Sequence, residues 1–381
     1  MNTSLTRTVT RFLLGTAFIS TALTVSGYST SVEAQQTEPL QEVTIALGSQ
    51  VLNVTYPWLM MPVALGYWRD EGYDVNVVGM QGSLQGLQMM ASGVVDLVQF
   101  NSSVLIQANA ENGIPARGIM GNGVIDWGLG VKEDGPIQSI IDLKGGRIGI
   151  VSLATGGVPM LKALLRQNGI DPDRDVNIVA VGAGTQALQA LRSGQVQGLM
   201  FWQSALTSFE NSGTDLRVFR DPAWHEMPDF TLGTLQSTID QNPDMVEAIV
   251  RGANKATLFA MTNPECVRQI HWEHFPSTKP TGADSETLEQ WDLNLLNAQL
   301  DSMRKAHELH GGELLGYVDP AAFTGIQEFL YEHGMISNTV STSELVIDQD
   351  GFFEATNDFD HEAIIEAARN CNVKGSAHYA D

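Results

Sequence analysis

At an offset of 101 residues the chain repeats itself. Asp74–Phe100, "DVNVVGMQGSLQGLQMMASGVVDLVQF", overlays Asp175–Phe201, "DVNIVAVGAGTQALQALRSGQVQGLMF", with 11 of 27 positions identical and no gap. The identities include Asp74/Asp175, Asn76/Asn177, Gln85/Gln186, Leu87/Leu188, Ser92/Ser193, Gly93/Gly194 and Phe100/Phe201. One local structure must therefore be built twice. In each copy a short β-rich run, "VNVV" or "VNIV", reads as a strand. Apolar groups then recur at helical spacing: Leu84, Leu87, Met90 and Ala91 in the first copy, Ala187, Leu188 and Leu191 in the second. Gly93 and Gly194 stop these helices. A second strand follows, "VVDLVQF" or "VQGLMFW", and the crossover implies parallel strands.

Each copy has an earlier strand and helix. "EVTIALG" is followed by a loop from Ser49 to Trp58 and a helix, "LMMPVALGYWRDEG", ending at Gly72. "GRIGIVS" precedes "VPMLKALLRQNG", with Pro159 near the first helical turn and Gly169 past its end. The chain is thus two β-α-β-α-β units, an α/β architecture. Ligands of such open sheets bind beyond the carboxyl ends of the strands. Two units facing each other make a cleft lined by post-strand residues. Beyond about Asp229 the pattern turns helical, beginning with "NPDMVEAIVRGANKATLFAMTNP", where Asn242 caps and Pro243 starts a helix. These helices are expected on the first lobe and behind the hinge, with the acidic tail after Ser337 as a surface strap.

The length, 381 residues, favours more than one domain, and a 43% hydrophobic content supplies a core. With 21 basic against 44 acidic residues and a net charge of −23, nucleic acid and anionic membranes are poor partners. Residues 1–34 read as a secretory signal peptide: Arg7 and Arg11, an apolar run from Phe12 to about Val25, and small or aliphatic residues before a cut after Ala34. The mature chain is expected to be soluble and exported. Cys266 and Cys371 both lie in the exported part, where a disulfide between them is plausible. Their separation makes no metal or redox motif.

The stretches "PVALGYWRDEGYDVNVV", "LQMMASGVVDLV", "SIIDLKGGRIGIVS" and "ALRSGQVQGLMFW" resemble the periplasmic solute-binding proteins of nitrate, sulfonate, taurine and thiamine-precursor ABC transporters. The resemblance runs from roughly Glu42 to Thr262. It implies the two-lobed type II periplasmic binding fold, with lobes joined by two crossover strands that close on a solute and pass it to a membrane permease. On this reading residues 42–131 and 230–381 form lobe 1 with the C-terminal helices, and residues 132–229 form lobe 2. The chain departs from the family at Gln197 and Gly198, where Asp-Ala is common, and lacks the Cys-rich motif of fungal relatives.

Candidate cleft residues follow from post-strand position. Gln50, Asn53 and Tyr56 follow the first strand. Asn101, Ser102 and Ser103 can cap the next helix or, with its free N–H groups, hold a carboxylate, sulfonate or ring carbonyl. Trp202 is the repeat counterpart of Asn101 and suits a planar or aliphatic ligand. Thr155, Gly156 and Gly157 form a polar turn at a helix start; without the Lys of a P-loop it is no nucleotide site. Trp127 and Asp229 stand near the two crossovers, with Phe230 beside the second. No Arg stands at a post-strand position, which disfavours a doubly charged anion for lack of a bidentate partner.

No nucleophile elbow, cleft Cys–His pair or dinucleotide fingerprint is present, so no catalytic residue, cofactor or metal is assigned. His271 and His274, and His307 and His310, have helical spacing but fall outside the cleft, and read as solvated or packed helix faces. The expectation is a monomeric, periplasmic binding protein for a small organic solute: a sulfonate, aromatic carboxylate or pyrimidine-like molecule. An exported enzyme on the same fold, or a ligand-sensing domain for a membrane receptor, shares these features.

Overall fold

The computed structural model describes residues 39–371, so the expected signal peptide lies outside the described residues. The first repeat unit runs β1 (Gln41–Leu47), α1 (Pro57–Leu65), α2 (Tyr67–Asp70), β2 (Tyr73–Gly79), α3 (Ser83–Ala91), β3 (Leu97–Phe100), α4 (Ser102–Ala110) and β4 (Ala116–Val124). A crossover leads to β5 (Gly128–Lys132). The second unit runs β6 (Arg147–Ile150), α5 (Gly157–Gln167), β7 (Asn177–Ala180), α6 (Thr185–Arg192), β8 (Gly198–Phe201), α7 (Gln203–Asn211) and β9 (Leu216–Phe219). A return crossover leads to β10 (Pro228–Leu235).

The two sheets have the same design. Their strand orders are β2-β1-β3-β10-β4 and β7-β6-β8-β5-β9. The first three strands of each are parallel, as the repeat implies, and the crossover strands β10 and β5 are antiparallel to their neighbours. Each sheet thus takes its fourth strand from across the molecule. Central strands β3 and β8 are buried along their whole length, as expected of strands covered on both faces. Gly93 and Gly194 close the repeat helices at φ 74° and 73°, a backbone that glycine adopts without steric cost. Together with the two sheets and flanking helices, this is the type II periplasmic binding fold.

Two local expectations are corrected. The single helix expected up to Gly72 is broken at Gly66, whose left-handed backbone separates α1 from α2. Residues 128–131, assigned by sequence to the first lobe, belong to β5, which pairs with β8 and β9 in the second sheet.

The C-terminal part comprises α8 (Gln236–Gln241), α9 (Pro243–Thr262), α10 (Pro264–His274), α11 (Ser285–Leu309), α12 (Phe323–Glu332), α13 (Phe352–Thr356) and α14 (His361–Asn370). Helix α9 packs on α1 and carries α13 and α14 on its flank. Val346 of the tail forms a β-bridge with Gly118 of β4. Cys266 in α10 and Cys371 after α14 are joined as a disulfide. Helix α11 lies on β4 of the first sheet and on α7 of the second unit. There Asn211 Nδ2 donates to the Trp291 carbonyl at 3.1 Å and Asn294 Nδ2 donates to Asn211 Oδ1 at 2.8 Å. Helix α12 also touches both units, at α4 and α5. No helix among the described residues is long and apolar enough to cross a membrane.

Candidate functional site

The carboxyl ends of β1, β3 and β8, the turn after β6 and both crossovers converge on one cavity between the sheets. Its walls include four aromatic rings, Tyr56, Trp127, Trp202 and Phe230. Between them lie the polar side chains of Ser49, Ser83, Gln99, Asn101 and Thr155. Trp127 meets Trp202 edge to face, with ring centroids 5.7 Å apart. Phe230 holds its place at φ 47°, a left-handed backbone that is rare and costly for a bulky residue. The free space is about 10 Å³, close to what one water requires.

The two units meet directly beside this cavity. The Leu84 N–H donates to the Ala154 carbonyl at 3.1 Å, and Ser103 Oγ donates to the Gly156 carbonyl at 3.0 Å. The turn after β6 thus presents carbonyls as well as Thr155 to the opposite unit. A β-carbon on Gly156 would lie 2.3 Å from Asn101, and one on Gly157 would lie 2.4 Å from the Trp127 ring. Gly156 therefore permits close approach of the two units, and Gly157 close approach to the Trp127 ring of the crossover, rather than an unusual turn.

Two aspartates from the crossovers stand behind the rings. Asp229 accepts from the Ser102 N–H (2.7 Å), from Asn101 Nδ2 (2.9 Å) and from Trp127 Nε1 (3.2 Å). It therefore occupies the amino terminus of α4, where a carboxylate is favoured. Burial nonetheless pushes Asp229 up to about 6. Asp126 is its counterpart at the amino terminus of α7, near the Gln203 N–H. Neither of its oxygens makes a well-aligned hydrogen bond. Burial, and then the charge of Asp229, push it up to about 7, against the pull of Arg220 and of the backbone N–H of Gln203. Arg220, directly after β9, donates to Gln203 Oε1 at 2.5 Å and contacts His225 Nε2 at 3.1 Å.

Of the residues singled out by position, Tyr56, Asn101, Thr155, Trp127 and Trp202 line the cavity, Ser103 and Gly156 form a contact between the units beside it, and Gly157 packs on Trp127. Three others go elsewhere. Asn53 Oδ1 accepts from the N–H and hydroxyl of Thr55, so it is spent on its own turn. Gln50 is exposed and outside the cavity wall. Ser102 is fully buried against Asp229 and Thr231, as a helix-start residue. Sequence reasoning missed Asp126, although an acid inside the apolar run "GVIDWGLGV" signals a buried charge with a purpose. It also missed Ser83 and Gln99, which carry no pattern of their own, and the Arg at the end of β9. His271 and His310 are buried in and behind helices remote from the cavity.

The match to the NMT1/THI5-like family model covers residues 58–266, more than half of the chain. The chain belongs to the NMT1/THI5-like family. The cavity's ring residues Trp127, Trp202 and Phe230 fall inside the matched region, while Tyr56 lies two residues before it. No curated protein matches the sequence of this family member. Among solved structures it is similar to the ligand-binding component of an ABC-type import system from Staphylococcus aureus, 13% identical, covering 82% of this chain and 98% of that one at a TM-score of 0.58. It is also similar to the periplasmic aliphatic sulphonate-binding protein SsuA from Escherichia coli, 15% identical, covering 81% and 92% at 0.54. A third likeness is to the desulfurization enzyme DSZB, 14% identical, covering 83% and 98% at 0.51. At these identities the likeness is one of fold.

Proposed function

We propose that this NMT1/THI5-like chain is the periplasmic solute-binding component of an ABC importer, capturing a small organic solute between its two units and delivering it to a membrane permease. One observation carries the reading: equivalent post-strand positions of both repeats, with residues of both crossovers, line a single cavity. Aromatic walls interspersed with polar side chains suit a small-molecule site. With space for about one water, the cavity admits a solute only if the units part. The contacts from Leu84 to Ala154 and from Ser103 to Gly156 are then the ones that open and re-form. The halves on either side of residues 125–127 and 220–227 act as the lobes of this motion.

The enzyme reading, kept open by the DSZB likeness, has less support. The chain's two cysteines are bonded to each other, away from the cavity, so no thiol is available as a nucleophile. Mass spectrometry of the molecule released on denaturing the purified protein tests the proposal. A binding protein returns its ligand unchanged, whereas conversion of that ligand by fresh protein would establish an enzyme. Trp202→Ala is expected to weaken binding of the same molecule by about tenfold or more in calorimetry, from lost ring contact. Unchanged affinity would remove Trp202 from the site.

A further inference from the structure

We infer that the cleft recognises an organic cation, its charge set against the rings of Tyr56, Trp127, Trp202 and Phe230 and balanced by Asp126 and Asp229 behind them. This rests on the solute-binding reading and names the ligand class.

Three features point the same way. The first is the ring set. Aromatic faces carry negative potential, and several around one small cavity form the surroundings that desolvated ammonium and amidinium groups prefer. The second is that two of the helix starts at the cavity, those of α4 and α7, are already taken. Asp229 fills the start of α4 and Asp126 stands at that of α7, so a sulfonate or carboxylate arriving there meets a carboxylate instead. The third is the charge count. Asp126 and Asp229 face one guanidinium, that of Arg220, which directs its hydrogen bonds to Gln203 and His225. No Lys or Arg lines the cavity among the described residues. Lys162, which lines a neighbouring pocket that shares Thr155 with the cavity, is paired with Asp173 at 2.7 Å.

The groups facing Asp126 are Asp229 on β10, Arg220 in the return crossover and Tyr56 at the start of α1. Burial raises both carboxyls, so the site holds its second negative charge at a cost that a bound cation relieves. The cation needs no direct contact with Asp126. Asp229 is already bonded to two wall residues, Asn101 and Trp127, and the low dielectric of the interior carries its field to the cavity.

The test is calorimetry on the full mature chain with planar probes of matched shape: benzamidinium, benzamide, benzoate and benzenesulfonate, with tetramethylammonium as a non-planar cation. Benzamidinium is expected to bind at least about tenfold more tightly than benzamide, a difference of about 1.4 kcal/mol. The two anions are expected to be weaker still. Asp126→Asn should reduce the preference for benzamidinium over benzamide about tenfold, and Trp202→Leu gives a second route to the same loss if the first variant folds poorly. Tighter binding of benzoate or benzenesulfonate, an unaltered preference in Asp126→Asn, or no binding by either cation would each overturn the cation assignment. An anionic molecule released from the purified protein would overturn it as well while leaving solute binding intact. Chemical conversion of the released molecule would instead defeat the solute-binding reading.

Discussion

Gly156 and Gly157 show how single atoms govern close packing, between the two units at the first and against the crossover at the second. Each lacks the β-carbon that would collide with Asn101 or Trp127. Gly156→Ala is expected to keep the units apart and lower solute affinity about tenfold or more, with little change in melting temperature, since the added methyl harms only the approached state. Equal affinity of variant and parent in calorimetry would show that the contact is dispensable. Asp126 permits a second prediction. Its value rises from 3.8 in the unfolded chain to about 7 when folded, so the folded protein retains a proton that the unfolded chain has released. Stability from this group is therefore intact below about pH 4 and declines as pH rises towards 7. Asp126→Asn is expected to raise the melting temperature at pH 8 by several degrees and to change it little at pH 4; calorimetric scans showing the same pH slope as the parent would refute this. At this scale the sequence was legible where position alone decides, as at Asn101, Thr155 and Trp202. It was misleading where a side chain satisfies its own turn, as at Asn53, because local hydrogen bonding competes with any ligand for the same oxygen.

Among elements, the repeat was the most readable part. Strand, helix and stop signals recur 101 residues apart, and the structure builds both copies with the same strand order. The fourth strand of each sheet was not readable, because β5 and β10 lie outside the repeat and their pairing is set by tertiary packing rather than local pattern. The helical tail is held by the bond between Cys266 and Cys371, which closes 105 residues of chain. Replacing both by serine is expected to cost about 2–4 kcal/mol. Its local effect should be release of α14 from α9, seen as faster amide exchange in residues 361–370 than in β3. Uniform acceleration across the chain, or none, would contradict a tie that acts on this end alone.

For the molecule as a whole, the C-terminal helices connect what the crossovers separate. Helix α11 spans β4 and α7, and the segment ending α12 is held from both sides: Gln107 of α4 donates to the Met335 carbonyl, and Arg166 of α5 to that of His333. Trp224 in the return crossover packs edge to face on Phe329 of α12. Any parting of the two units would therefore have to release α12 from one of them. Arg166→Ala is expected to enlarge the radius of gyration of ligand-free protein in small-angle scattering and to hasten solute release; an unchanged scattering curve would show that α12 offers no restraint. The sequence announced these helices but not their role as braces, since amphipathic pattern says which face is buried and not against what. The exchanged strands have a consequence in time rather than in space. As the chain is synthesised, β3 and β4 are made with the slot between them empty, and the strand that fills it, Pro228–Leu235, arrives only after the entire second unit has been written. A nascent chain shorter than that contains no finished first sheet, whereas every strand of the second has been made by Phe219, so the second sheet can close before the first.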